Sequence, residues 1–455
     1  MNKNKWIEYA LSQGMESVEI YQSLSTQKEI TWFSGQMDTF VSSHVLGTMI
    51  RGIVDGNMAS MALEDTDDDK MEEVISSLIK QAKTVTTKEK DSLRKPEKTE
   101  EVMKNVSDIL KKHQEVVKEK ELVKPSMDQI KQTLELIEKK CLAYDPRVIQ
   151  VSYLSFEEAT GTREITNSYG VQVYDEDKMN AVGCSVAVSQ NDEIKDDALV
   201  KVVYDLEKFD VDAYVKELCD KALSKLNATS LKSGSYPVIF EKDAMTSLFA
   251  SFVGLFSGDL IFKGISPLKG KENTKIFSDK ITIIDNPRNL EALTIANYDD
   301  EGCPTKEKVL VDKGVFSSML HDTKSALRMH AESTGNGFKS GYASNVGVSP
   351  MNCYIQPGDK SLDELCQDMQ EGLVITELAG LHAGIDFVTT NFSLQCSGYY
   401  VKSGKRDHSV SLITVAGNFL EMMNDVKAVA NDLEWEYKQI VTPSIAFNAC
   451  AISGE

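Results

Sequence analysis

Residues Ala244 to Gly258 read AMTSLFASFVGLFSG, a helix-length run with no charge, histidine or cysteine, in a chain that is 26% charged. Ala244, Met245, Leu248, Phe249, Phe252, Val253 and Phe256 recur at helical spacing. Asp243 stands where an N-cap belongs, and Gly258 where a helix stops. The run is shorter than the ~20 residues needed to span a bilayer. It therefore predicts one continuous buried helix, and with it a folded domain able to bury it.

The chain is long enough for such a core. Its 455 residues are 41% hydrophobic, which excludes a disordered chain and fits two or three domains. Fifty basic and 70 acidic side chains give a net charge of −20. That sign disfavours phosphate backbones and anionic lipid, so neither nucleic acid nor membrane is an expected partner. The eight cysteines form no CxxC pair and no zinc-finger spacing, and are read as buried, reduced thiols. The N-terminus MNKNKWIEYALSQG lacks a signal-peptide core. The expected setting is the cytoplasm.

Periodicity predicts an α+β chain in two parts. The first part, 1–228, opens with a helix over Asn4–Gln13. Short strands follow at Val18–Tyr21, Glu29–Phe33, Val45–Val54 and Met58–Leu63, with a hairpin at Asp55-Gly56. A helix over Asp67–Val85 and a highly charged stretch, Lys88–Lys124, come next. A second helix starts at the capping box Ser126–Gln129 and carries Met127, Ile130, Leu134, Ile137 and Cys141 on one face. Strands Val148–Leu154, Glu164–Asn167, Gln172–Tyr174, Cys184–Ser189 and Leu199–Tyr204 lead to a helix over Val211–Leu226. Segments 1–86 and 126–228 thus share one order. Lys28-Glu29-Ile30-Thr31 echoes Arg163-Glu164-Ile165-Thr166, which fits an internal duplication or a chance match. The second part, 229–455, is strand-rich, with a helix expected over Phe419–Leu433.

Spacing alone yields no enzyme. No nucleophile elbow, Walker loop or GxGxxG is present. No histidine pair has the i, i+4 spacing that places two imidazoles on one helical face. His382, between glycines in LAGLHAG, is the most site-like, although a hydrogen-bonded turn residue fits it as well. Asp299-Asp300-Glu301 and Asp65–Asp69 are acidic enough for a hard cation but lack the EF-hand pattern, and solvated runs are the plainer reading.

Longer motifs carry more. Asn297 to Ala326 (NYDDEGCPTKEKVLVDKGVFSSMLHDTKSA), Gly372 to Lys405 (GLVITELAGLHAGIDFVTTNFSLQCSGYYVKSGK) and Val415 to Trp435 resemble the PmbA/TldD family. So do Arg163 to Tyr174 and Met49 to Ser60. The resemblance implies a cytoplasmic two-subunit peptidase, also known as a modulator of DNA gyrase, that acts on short or unfolded peptides and in peptide maturation. One subunit, of TldD type, holds zinc through HExxxH and a cysteine near the C-terminus. The other, of PmbA/TldE type, lacks those ligands. Counted back from Gly258-Asp259, the motif falls on Phe249, Ala250 and Gly254, and none of these side chains can bind a metal. Cys450, in FNACAI, lacks the context of the third ligand. The resemblance thus implies a non-catalytic subunit with no metal or cofactor of its own. Zinc is expected in a TldD-like catalytic partner, in a heterodimer. The alternative is a homodimer that binds peptides at exposed strand edges without cutting them. A third reading, an unrelated enzyme, would use His382 with Glu377 or Asp386. The family motifs concentrate at Tyr298, Asp299, Glu301, Glu377, His382, Asn391 and Ser393. These are read as chamber or interface positions, or as turns the fold requires.

Overall fold

The computed structural model describes residues 1–85, 90–96 and 122–455. Most of the charged stretch Lys88–Lys124 lies outside them. The chain is α+β, as its periodicity predicts. Among the described residues, no helix is long and apolar enough to cross a membrane.

Among its described residues, the N-terminal region is one antiparallel sheet backed by four α-helices. The helices are α1 (Lys3–Ser12), α2 (Met71–Thr84), α3 (Met127–Tyr144) and α4 (Val211–Leu223). The strands are β1 (Ser17–Phe33), β2 (Gln36–Val54), β3 (Asn57–Leu63), β4 (Val148–Asn167), β5 (Gln172–Gln190) and β6 (Glu193–Val202). Their order, β3-β2-β1-β4-β5-β6, is symmetric about the β1·β4 seam. β2 and β5 each run 19 residues. Each ends in a two-residue turn with both φ angles positive, Asp55-Gly56 and Asn191-Asp192. The KEIT and REIT echoes lie in β1 and β4, at similar distances from the hairpins that end those strands.

The short predicted strands are the ends of much longer ones. Only the ends bury: β2 is exposed through most of Gln36–Leu46 and buried from Gly47 to Val54. The polar middles form arms that reach beyond the cores, so no apolar alternation marks them. Trp6, Ile20, Ile50, Ile75 and Leu78 fill the core beneath α1 and α2. Leu134, Ile137, Leu154, Val186 and Leu218 fill the one beneath α3 and α4. The Ser126–Gln129 capping box is present. Met127, the first helical residue, is exposed rather than on the buried face.

The C-terminal region is built around a closed barrel. Strands β7 (Gly234–Phe240), β8 (Glu371–Ala379), β9 (Asn391–Lys402), β10 (Lys405–Asn418) and β11 (Ile445–Ser453) run in the order β8-β7-β11-β10-β9, and β9 pairs back onto β8. All pairs are antiparallel except β8·β7. Closure needs a glycine: a Cβ on Gly398 would sit 1.9 Å from the Val374 carbonyl oxygen across the β8·β9 seam. A small sheet that includes Ile283–Asp285, Lys308–Asp312 and Cys353–Ile355 packs beside the barrel.

The apolar segment Ala244–Gly258 folds differently from its prediction. Helix α5 covers Lys242–Phe252 and is capped by Glu241, whose carboxylate accepts from the Asp243 N–H. The chain then tightens into a 3₁₀ turn over Val253–Phe256. Gly258 opens a second helix, α6 (Gly258–Phe262), capped by Ser257, instead of ending the first. The glycine is needed for contact: a Cβ there would lie 2.2 Å from the His321 ring and 3.0 Å from the Leu320 carbonyl. The helix expected over Phe419–Leu433 stops at Asn424, because Val426–Val429 is recruited as a strand against β11.

Candidate functional site

Phe249, to which the resemblance assigns the first metal ligand, is part of the barrel core. Phe249 is fully buried on α5. It belongs to the same cluster as Phe240, Phe252, Phe256, Phe419 and Phe447, where Phe252 and Phe419 stack at 4.5 Å between ring centroids. Ala250 lies on the outer face, exposed. Gly254 is half-buried beneath the Phe387 ring, which a Cβ would touch at 3.4 Å. Cys450 is a buried thiol on β11; burial, then Asp425 and Cys396, push it up to about 12. A metal needs lone pairs from nitrogen, sulfur or oxygen, and the three motif positions supply none. These residues do not fit zinc. Among the described residues, no group of three or more His, Cys, Asp or Glu side chains is arranged to hold a metal ion.

The other motif residues separate into two groups. Glu377, His382, Asn391 and Ser393 are exposed on the barrel and its turns. Glu377 accepts from Ser397 Oγ at 3.2 Å and pairs with Lys225 at 3.1 Å. Asn391 accepts from Asn418 Nδ2 at 3.0 Å. Asp386 accepts from the N–H groups of Val388 and Thr389. His382 makes no hydrogen bond to Glu377 or Asp386, so the structure does not assemble the acid–histidine pair of the third reading.

Tyr298, Asp299 and Glu301 instead belong to a buried electrostatic seam between the two regions. Asp299 is sealed from solvent. It accepts from the N–H groups of Glu301, Cys303 and Gly337 at 3.0, 2.8 and 2.9 Å. These donors favour the carboxylate, but burial and the nearby Glu301 charge push its pKa upward. Asp300 accepts from Arg163 Nη1 at 2.9 Å and from the Lys339 N–H at 2.7 Å. Arg163 also binds Asp175 and donates to the Tyr298 carbonyl at 2.9 Å. Glu301 lies 3.6 Å from Arg51, whose Nε donates to Glu19 at 2.7 Å. Burial raises the Glu301 pKa and Arg51 opposes the rise.

Sequence reading found the acidic half of this seam and missed the basic half: Arg51, Arg163 and Lys339. A signal existed. Glu19 in SVEIY and Arg51 in MIRGIV are lone charges in apolar strand ends, where a buried charge must find a partner.

Comparison with known proteins gives a consistent picture. Three descriptions match in order: PmbA/TldA metallopeptidase domain 1 over residues 18–82, its central domain over 120–226 and its C-terminal domain over 233–454. The metalloprotease PmbA homolog of Haemophilus influenzae is 29% identical over 70% of this chain and 68% of its own. TldE from Thermococcus kodakarensis superposes with a TM-score of 0.85 at 23% identity, over 99% of this chain and 100% of its own. A Thermotoga maritima protein named as a DNA gyrase modulator gives 0.82 at 24%, over 99% of each chain. At such identities the two structures establish a shared fold.

Proposed function

This chain belongs to the PmbA/TldD metallopeptidase family, and from that premise we propose that it is a non-catalytic, PmbA/TldE-like subunit of a heteromeric zinc peptidase. The complex acts on short or unfolded peptides. One observation carries the reading: Phe249, to which the resemblance assigns the first ligand of the family's metal motif, is fully buried in an aromatic core. Without ligands there is no Lewis acid, and without a glutamate at Ala250 there is no base to activate water. Zinc and hydrolysis are then the work of a TldD-like partner.

The sheet arm supports an assembled state. Phe40 and Val41 are 50% and 52% exposed on β2, and Met37, Val45 and Leu46 are exposed beside them. Apolar residues gathered on an arm are the usual mark of a surface that another protein covers. All eight cysteines are buried and none forms a disulfide, which fits a reducing compartment, so the cytoplasm is the expected setting.

The test is to purify the chain alone and together with a TldD-type subunit, and to measure zinc content and peptide hydrolysis. The reading expects both only in the mixture. Stoichiometric zinc with hydrolysis in the isolated chain would overturn it. A stable homodimer that ignores the TldD-type subunit would favour a peptide-binding protein without protease activity.

A further inference from the structure

A cavity of about 750 Å³ lies between the N-terminal sheet and the C-terminal region. That volume is within the ~300–1,000 Å³ range of ligand sites. One part of its lining is apolar: Met58, Phe262, Leu327 and Val346. The other part is charged, and its charges are unevenly satisfied.

Arg51 lines the cavity and is only 7% exposed. Its Nε is bound to Glu19, and Nη1 faces Glu301 at 3.6 Å. Nη2 is buried with no partner among the described residues. Buried donors without acceptors are rare in folded proteins. Lys339 lines the same cavity; its ammonium donates to the Tyr342 carbonyl at 3.3 Å and lies 4.4 Å above the Tyr21 ring. Burial and repulsion from Arg51 push it down to about 8.

The carboxylates that line the cavity are already engaged. Glu301 accepts from the Thr323 N–H at 2.7 Å. Asp322 caps the helix Thr323–Met329. Asp91 pairs with Lys324 at 3.0 Å and accepts from the Met58 N–H at 3.2 Å. A buried donor is left over, these carboxylates are engaged, and an apolar wall stands beside them.

We propose that this cavity binds the C-terminal end of a short peptide, with Arg51 Nη2 and Lys339 Nζ receiving the carboxylate and the apolar wall receiving the last side chain. The choice of a peptide rests on the function proposed above. A phosphate ester would satisfy the donors but leave the apolar wall unused, and a chain of charge −20 repels polyphosphates.

The experiment is calorimetric titration of the full chain with an N-acetylated tripeptide ending in leucine, as free acid and as carboxamide, and with inorganic phosphate. The free acid is expected to bind and the carboxamide to bind at least about tenfold more weakly, since charge-assisted hydrogen bonds are the strong ones. Lys339→Met should cost about tenfold in affinity. Leu327→Glu, at a position 52% exposed that tolerates the change, should cost a similar factor by repelling the carboxylate. Equal binding of acid and carboxamide, phosphate competing as well as the peptide, or no binding by the folded chain would each overturn the proposal. Zinc and hydrolysis in the isolated chain would overturn the subunit reading instead, so the two failures are distinguishable.

Discussion

Replacing Phe249 by histidine supplies the residue that the proposed motif assignment would place there and tests whether this position is core or cleft. The ring at 249 is fully buried in a cluster of phenylalanines. Full truncation of such a side chain costs about 3–5 kcal/mol. Histidine keeps a ring but loses apolar volume, and it buries two nitrogens with no polar side chain in that cluster to meet them. An unsatisfied buried polar group costs about 1–3 kcal/mol. Together these give ~3–5 kcal/mol for Phe249→His. Phe249→Leu keeps the site apolar and should cost less than about 2 kcal/mol. Urea unfolding followed by near-UV circular dichroism measures both, and the gap between the variants isolates the polar part. Added zinc should not restore the midpoint of the histidine variant. A histidine variant within about 1 kcal/mol of the parent, or one that retains stoichiometric zinc, would refute the argument that the position is a packed core.

Three further outcomes follow from the seam and from the cap of α5. Arg163→Leu removes the counter-ion of Asp300 and Asp175 and the donor to the Tyr298 carbonyl. Breaking a buried pair costs about 3–5 kcal/mol, and limited proteolysis between the two regions should accelerate. Lys339, with its pKa near 8, should be acylated at pH 8 far ahead of ordinary lysines, as mapped by mass spectrometry. Glu241 is raised to about 7, first by burial and then by Asp243. A carboxyl raised on folding stabilises the native state below its ordinary pKa and loses that contribution as pH rises through the folded value. Stability should therefore fall between about pH 4.5 and 7, by up to ~3 kcal/mol, and Glu241→Gln should flatten the decline. A decline unchanged in that variant would assign it to other groups.

Much of the architecture was legible because local signals agreed with the final contacts. Ser126 and Gln129 cap a helix wherever a helix follows, and Asp55-Gly56 turns a hairpin without outside help. The failures occurred where distant partners decided. Val426–Val429 reads as helix by its spacing but is claimed by the edge of β11. Gly258 reads as a helix stop, whereas its missing side chain makes room for His321. The arms of β1 and β2 bury little, so hydrophobic alternation could not find them. At the site, Phe249, Ala250 and Gly254 could be named from the sequence because the resemblance assigns the metal motif to them. The seam could not, because Arg51, Arg163 and Asp300 are far apart in sequence and meet only through the fold.

The barrel's strand order bears on how the chain is made. A ribosome delivers β7 early, yet its two neighbours, β8 and β11, emerge about 130 and 200 residues later. At ~5–20 residues per second the second delay is roughly 10–40 s. Until β8 emerges, β7 has neither of its sheet neighbours, and until β11 emerges it has only one. The N-terminal sheet, made of successive hairpins, meets no such delay within each half. Misfolding during synthesis is accordingly expected in the C-terminal half, and recombinant yield should respond to growth temperature more steeply than the stability of the finished protein does.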